Sequence, residues 1–329
     1  KMIDFRYHIV SLVAVFLALA TGIILGAGPL QGSIGNALSG EVSSLRKDNT
    51  ALKAEIGELK KINEQEESAI ADMAPELSKG TLTGRNTTII VFPDTPKEYL
   101  EDTKESLEGA GATINGIIEI YPTWTDKNKE TMRTQLAASL TPLIAEDMKS
   151  SEVNSLLAAA LNQLARRGKA TGNNAEIGKI LADSKDPLLK ISSGCDKPAE
   201  SIIFLSPDIP DTPAPDNEPT NPDKVAQLDY DAKTYAALVA AIGEKGPTVL
   251  AGNANSQHDL VIVVRTNNNK VSTVDSLHRA IGKANIPLAL AAEFTDKTVR
   301  YGLGDTASYV IGPRIVVPAG VLPSTGASQ

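Results

Sequence analysis

The stretch IVSLVAVFLALATGIILGAGPL, residues 9–30, holds no charged side chain across its 22 positions. As a helix it spans ~33 Å, enough to cross the hydrocarbon core of a bilayer. Lys1 and Arg6 precede it, partly offset by Asp4, and the first charge after it is Glu41. Positive charge on the short N-terminal side predicts a cytoplasmic N-terminus (residues 1–8), with everything after the span outside the cytoplasm. The rival is a cleaved signal peptide, since Ala18-Leu19-Ala20 has the form of a cleavage site. The apolar run continues past it through Ile23, Ile24 and Leu25, which favours a retained anchor in the plasma membrane. Ala14, Ala18, Gly22 and Gly26 recur every four residues and line one helix face, where two backbones can approach closely.

Beyond the span a heptad pattern occupies residues 34–78. With Val42 at a, the a positions are Val42, Asn49, Ile56, Asn63, Ile70 and Leu77, and the d positions are Leu38, Leu45, Leu52, Leu59, Glu66 and Met73. Asn at a fixes register and favours two parallel strands. In a parallel homodimer the g-to-e′ pairs are Glu41–Arg46′, Asp48–Lys53′ and Glu55–Lys60′, all opposite in charge, and the ladder lapses near Glu66. The spacing predicts a dimeric coiled coil ~55–60 Å long. A single helix packed on the chain's own domain, or a pairing with another protein's helix, are the alternatives.

From about Arg85 the texture is α/β. Strands are expected over Thr87–Phe92, Ile114–Ile120, Ser201–Leu205, Thr248–Ala251, Leu260–Arg265 and Pro287–Ala291. Helices are expected over Pro96–Leu107, Lys127–Leu140, Glu152–Arg167, Tyr230–Ile242 and Val271–Ile281. This alternation predicts a three-layer α/β domain with a mainly parallel sheet over 85–311, followed by a disordered tail over 312–329. Six prolines and several Asp make Pro207–Pro222 a loop.

Composition excludes little but points clearly. The net charge of −8, concentrated between Asp208 and Asp231, argues against a nucleic-acid partner. Cys195 is the single cysteine, so no intramolecular disulfide forms, and its simplest role is as a small buried apolar group. His8, His258 and His278 are scattered, with no metal-ligand spacing, so no metal or other cofactor is expected. No nucleophile elbow occurs, and Gly302-x-Gly304 reads as turn glycines rather than a dinucleotide fingerprint. Asp94, Asp208, Asn253, Asn255 and His258 follow strands, where ligand sites of α/β proteins lie, although solvated loop residues are the default reading for all five. A non-enzymatic protein is therefore expected, with an exported α/β enzyme as the lesser alternative.

The opening MIDFRYHIVSLVAVFLALATGIILG, residues 2–26, resembles the actinobacterial MctB/SteB family, labelled copper transporter. The matching residues are Arg6, His8, Ser11, Leu12, Ala14, Val15, Phe16, Leu17, Ala18 and Leu19. The layout of anchor, coiled coil and α/β domain matches as well. The corynebacterial branch of the family implies a role in daughter-cell separation, with a SteA-like membrane partner and control of a RipA-like peptidoglycan hydrolase. The family label implies copper efflux through an outer-membrane channel instead. Few soft metal ligands and no alternating barrel strands favour the scaffold over the channel.

Overall fold

The computed structural model describes residues 5–27, 29–183, 185–209, 222–267 and 270–318. It divides into two compact units, residues 1–66 and 67–329. The first unit is helical. Helix α1 (Phe5–Ala27) is long and apolar enough over Phe5–Gly26 to cross a membrane, and its side chains are exposed. Helix α2 (Pro29–Ser78) begins with Pro29, a residue suited to a first helical turn because its missing N–H would have no partner there. The apolar run expected over residues 9–30 covers most of α1 and the first residues of α2. The last turns of α2 belong to the second unit.

That unit is built on a seven-stranded sheet in the order β3-β2-β1-β4-β5-β6-β7. The strands are β1 (Asn86–Val91), β2 (Thr113–Ile120), β3 (Leu189–Gly194), β4 (Ser201–Leu205), β5 (Thr248–Ala251), β6 (Ser272–Val274) and β7 (Arg300–Tyr301). All neighbours are parallel except β3, which pairs antiparallel with β2 at the edge. The central strands read as unbroken apolar runs because both faces are covered. Ile90, Phe92, Phe204 and Leu250 pack on one face with α5 (Val153–Arg167), α7 (Pro222–Gly243) and α8 (Leu260–Thr266). Ile89, Val91, Ile203 and Val249 pack on the other with α3 (Lys97–Gly109) and α9 (Ala280–Glu293). The mainly parallel, three-layer α/β domain expected from the sequence is therefore present.

The C-terminal third corrects the sequence reading. Leu260–Arg265 is not a strand but α8, and Pro287–Ala291 lies inside α9. Val271–Ile281 contains strand β6 and a loop rather than a helix. Three further elements were not expected: edge strands β3 and β7, and helix α6 (Asn174–Ala182), which follows α4 (Glu130–Leu140) and α5 in the chain. The domain also starts before Arg85, since Thr81 and Leu82 are fully buried. It runs past residue 311, because Val317 is buried and its N–H reaches the Thr81 carbonyl at 3.0 Å. Residues 312–318 are thus ordered, contrary to the expected loose tail. Residues 319–329, like 210–221 of the proline-rich loop, lie outside the described residues.

Cys195 is fully buried at the end of β3, and burial pushes its thiol up to about 11. A Cβ at Gly116 on β2 would lie 2.1 Å from its sulfur, so the two strands close only because residue 116 has no side chain.

Candidate functional site: the crevice at the strand ends

In an open parallel sheet, ligands bind outside the carboxyl ends of the strands where the strand order reverses. Here the reversal falls between β1 and β4, since β2 lies to one side of β1 and β4 to the other. Asp94 follows β1 with a left-handed φ of 61°, a conformation that Asp tolerates better than most residues. Asp208 follows β4, and Asn253 follows β5. A cavity of about 350 Å³ opens between these turns and α7, with Asp94, Asp208, Asp231, Lys224 and His258 among its lining residues.

Of the five strand-end residues picked out in the sequence, Asn253 is not solvated. It is 2% exposed, and its amide donates to Tyr99 Oη at 2.9 Å and to the Asp208 carboxylate. Tyr99 Oη in turn donates to Asp208 Oδ2 at 2.7 Å, and His278 Nδ1 lies 2.9 Å from Asn253 Oδ1. Burial, then the Asp208 carboxylate, raises the Tyr99 phenol well above its usual value, so it remains a proton donor. His258 is half-buried with Nδ1 2.9 Å from Asp229 Oδ1, while the Asn255 side chain is exposed.

Two buried carboxylates that the sequence reading passed over shape the same end of the sheet. Asp259 accepts from the backbone N–H groups of Asn255 (2.7 Å), Ser256 (2.8 Å) and Ile209 (3.1 Å), joining the turns after β4 and β5. Burial raises its carboxyl despite those three donors. Asp275, after β6, pairs with Arg265 of α8 at 2.6 Å, both side chains being almost wholly inaccessible. Its Oδ1 accepts from the N–H groups of Leu303 (2.8 Å) and Gly304 (3.0 Å). Gly302 has φ 135°, and a Cβ there would meet Asp275 Oδ1 at 2.1 Å. These are turn glycines, as expected, and they clamp a carboxylate.

Most of the residues expected at a dimer interface lie along α2. Leu38, Val42, Leu45, Leu52, Ile56 and Leu59 are 40–62% exposed along α2. Asn49 and Asn63 are exposed too, as are Glu41, Arg46, Asp48, Lys53, Glu55 and Lys60. A side chain at Gly22 or Gly26 would find open space. Past the heptad break at Glu66 the helix changes role. Ile70 is half-buried, on a face with Glu67 and Leu77, whereas Met73 remains exposed.

Glu67 is the clasp of that last stretch. Its carboxylate accepts from Arg279 Nε at 2.7 Å and from the Ala280 backbone N–H at the start of α9. An anion at a helix N-terminus is favourable. Burial raises the Glu67 carboxyl, but the Ala280 and Arg279 donors outweigh it, and the net shift is downward. The clasp is therefore fully formed above the ordinary glutamate range and is lost as pH falls through the lowered folded value. We expect Glu67→Gln to destabilise the domain at neutral pH, with the difference from the native chain closing in acid. Urea unfolding at a series of pH values measures this, and a gap that stays constant into acid would refute it.

Among the described residues no group of three or more His, Cys, Asp or Glu side chains could hold a metal ion. The fold and the strand-end crevice define a doubly wound α/β protein carried behind one apolar helix. The family model described as "Copper transport outer membrane protein, MctB" matches residues 2–311. The chain belongs to that MctB family. Proteins named "Copper transporter MctB" from Mycobacterium bovis and two strains of Mycobacterium tuberculosis are each 24% identical to it over 310 residues, covering 88% of this chain and 92% of theirs.

Proposed function

We propose that this family member is a non-enzymatic, membrane-anchored scaffold that acts in daughter-cell separation. It would sit in the plasma membrane with its N-terminus in the cytoplasm and its α/β domain outside. Two copies pair in parallel through α1 and the Leu38–Leu59 stripe. Together with a SteA-like membrane protein they regulate a peptidoglycan hydrolase, directly or through that partner. The observation that supports this reading best is the stripe itself: six large apolar side chains at heptad spacing, at least 40% exposed, flanked by self-complementary charges. Such a surface on one helix favours burial against a second copy.

The test is the mass of the full chain in detergent, alone and with the SteA-like protein. A dimer is expected, gaining mass with the partner. Leu52→Asp, which puts a carboxylate at a d position, should give monomer. Lys53→Glu, which sets like charges opposite each other twice per dimer, should weaken pairing by about 0.5–2 kcal/mol. A native chain that stays monomeric and ignores the partner would end this reading.

The names of the family and of its mycobacterial relatives favour a second reading, a copper-handling envelope protein. Copper bound by the purified chain at a defined stoichiometry would support it.

A further inference from the structure

The cavity between the turns after β1 and β4 and helix α7 has three properties that bear on what it would hold. The first is charge. Asp94, Asp208 and Asp231 reach it from three separate elements, and among the described residues Lys224 is the one lysine or arginine in its lining. Burial pushes the Tyr235 phenol up to about 12, the Thr125 hydroxyl opposes the shift, and the Asp231 and Asp94 charges add to it. Asp208 is already held by Tyr99 and Asn253, which leaves its remaining lone pairs for an outside donor.

The second property is a pair of poorly matched hydroxyls. Thr125 is 4% exposed, yet among the described residues its Oγ1 meets Tyr235 Oη at 3.4 Å and the Pro122 carbonyl at 3.5 Å and nothing closer. Both distances exceed the ~2.5–3.0 Å of a good O–H···O bond. Buried hydroxyls without close partners are uncommon and need an explanation. Thr125 and Tyr235 both line the cavity.

The third property is shape. The Tyr235 ring packs on Phe92 with centroids 4.5 Å apart, and Leu228 and Leu260 add apolar wall. At about 350 Å³ the cavity lies at the small end of the range for ligand pockets.

The geometry points to a binding site for a small organic cation that also carries hydroxyls, of the amino-sugar or amino-alcohol class. The ammonium group sits among Asp94, Asp208 and Asp231, where opposite charge compensates its lost hydration. A hydroxyl completes the bonding of Thr125 and Tyr235, and the carbon skeleton lies against the Tyr235 ring and the leucines. The site is independent of the coiled-coil reading, because no residue of the stripe takes part in it.

Titration calorimetry on the full chain in detergent tests this with glucosamine and ethanolamine as probes, and with neutral N-acetylglucosamine as the matched control. Glucosamine is expected to bind at least tenfold more tightly than the acetylated sugar, and less tightly as salt is raised. The Asp94→Asn/Asp231→Asn double variant should lose about tenfold or more in affinity. Asn tolerates the left-handed turn at residue 94, so the fold is retained. Lys224→Gln removes the opposing charge and should tighten binding, a gain that misfolding cannot mimic. The proposal fails if neither amine binds at millimolar concentration, or if the acetylated sugar binds as well. It fails equally if the double variant binds unchanged, or if calcium binds where the amines do not.

Discussion

Asp275→Ala is expected to lower the stability of the domain by about 3–5 kcal/mol. Denaturant unfolding of the full chain should show this as a fall in midpoint at unchanged slope. The size follows from what is left behind. Arg265, within α8, keeps its Nε bond to Thr273 Oγ1 (2.8 Å) and its bond to the Tyr301 carbonyl (3.1 Å), but its charge has no counter-ion. The N–H of Gly304 loses its acceptor in the same step, and that of Leu303 keeps only Ser276 Oγ at 3.4 Å. Each buried donor left unmatched costs about 1–3 kcal/mol. Arg265→Met/Asp275→Leu should recover much of the loss, because removing both charges leaves none stranded. A single variant as stable as the native chain would mean that Asp275 does not hold the ends of β6 and β7.

Arg166→Ala is the second large effect, again about 3–5 kcal/mol, and it acts at the opposite end of the strands. Arg166 closes helix α5 and splays its guanidinium over the starts of β4 and β5. Its donors reach Asn162 Oδ1 (3.0 Å), the Glu200 carbonyl (2.9 Å), the Gly246 carbonyl (2.9 Å) and Thr248 Oγ1 (2.8 Å). Burial pulls this guanidinium down to about 10, with Glu293 opposing the shift, so it stays charged at neutral pH. Arg166→Lys should rescue little. An ammonium is a compact point charge with three donors, and it cannot span acceptors set out for a planar fork. Thermal melting of the three proteins decides the matter, and a lysine variant with native stability would refute the argument.

The sheet was legible in the sequence where its strands are buried on both faces. Ile89, Ile90 and Val91 of β1, or Ile202, Ile203 and Phe204 of β4, form short apolar runs that Pro93 and Pro207 soon interrupt. The reading failed where the same signal has two meanings. Leu260-Val-Ile-Val-Val is β-branched and apolar, which favours a strand, but a fully buried short helix gives the same run. Pro287 looked like a boundary, yet α9 carries it in its interior among residues buried on every side. Strand β6 was hidden for the reverse reason. Ser272 and Thr273 are polar, and they are buried because Val299 N–H and Arg265 Nε bond to their hydroxyls. Those partners lie 27 and 8 residues away.

The strand-end crevice was half legible. Asp94 and Asp208 stood out because they follow recognisable strands. Tyr99 and Asp275 did not, one being set in a helix pattern and the other in a segment read as helix. Asp259 was missed because its work is done through backbone N–H groups, which leave no mark on composition.

The meeting of Gly116 with the Cys195 sulfur has a consequence for descent. With 2.1 Å available, neither position can change on its own toward greater bulk. A Cβ at 116 would also meet the Cys195 backbone N at 2.6 Å and Cα at 2.9 Å, so a smaller residue at 195 makes no room for it, and descent should keep glycine at 116 whatever stands at 195.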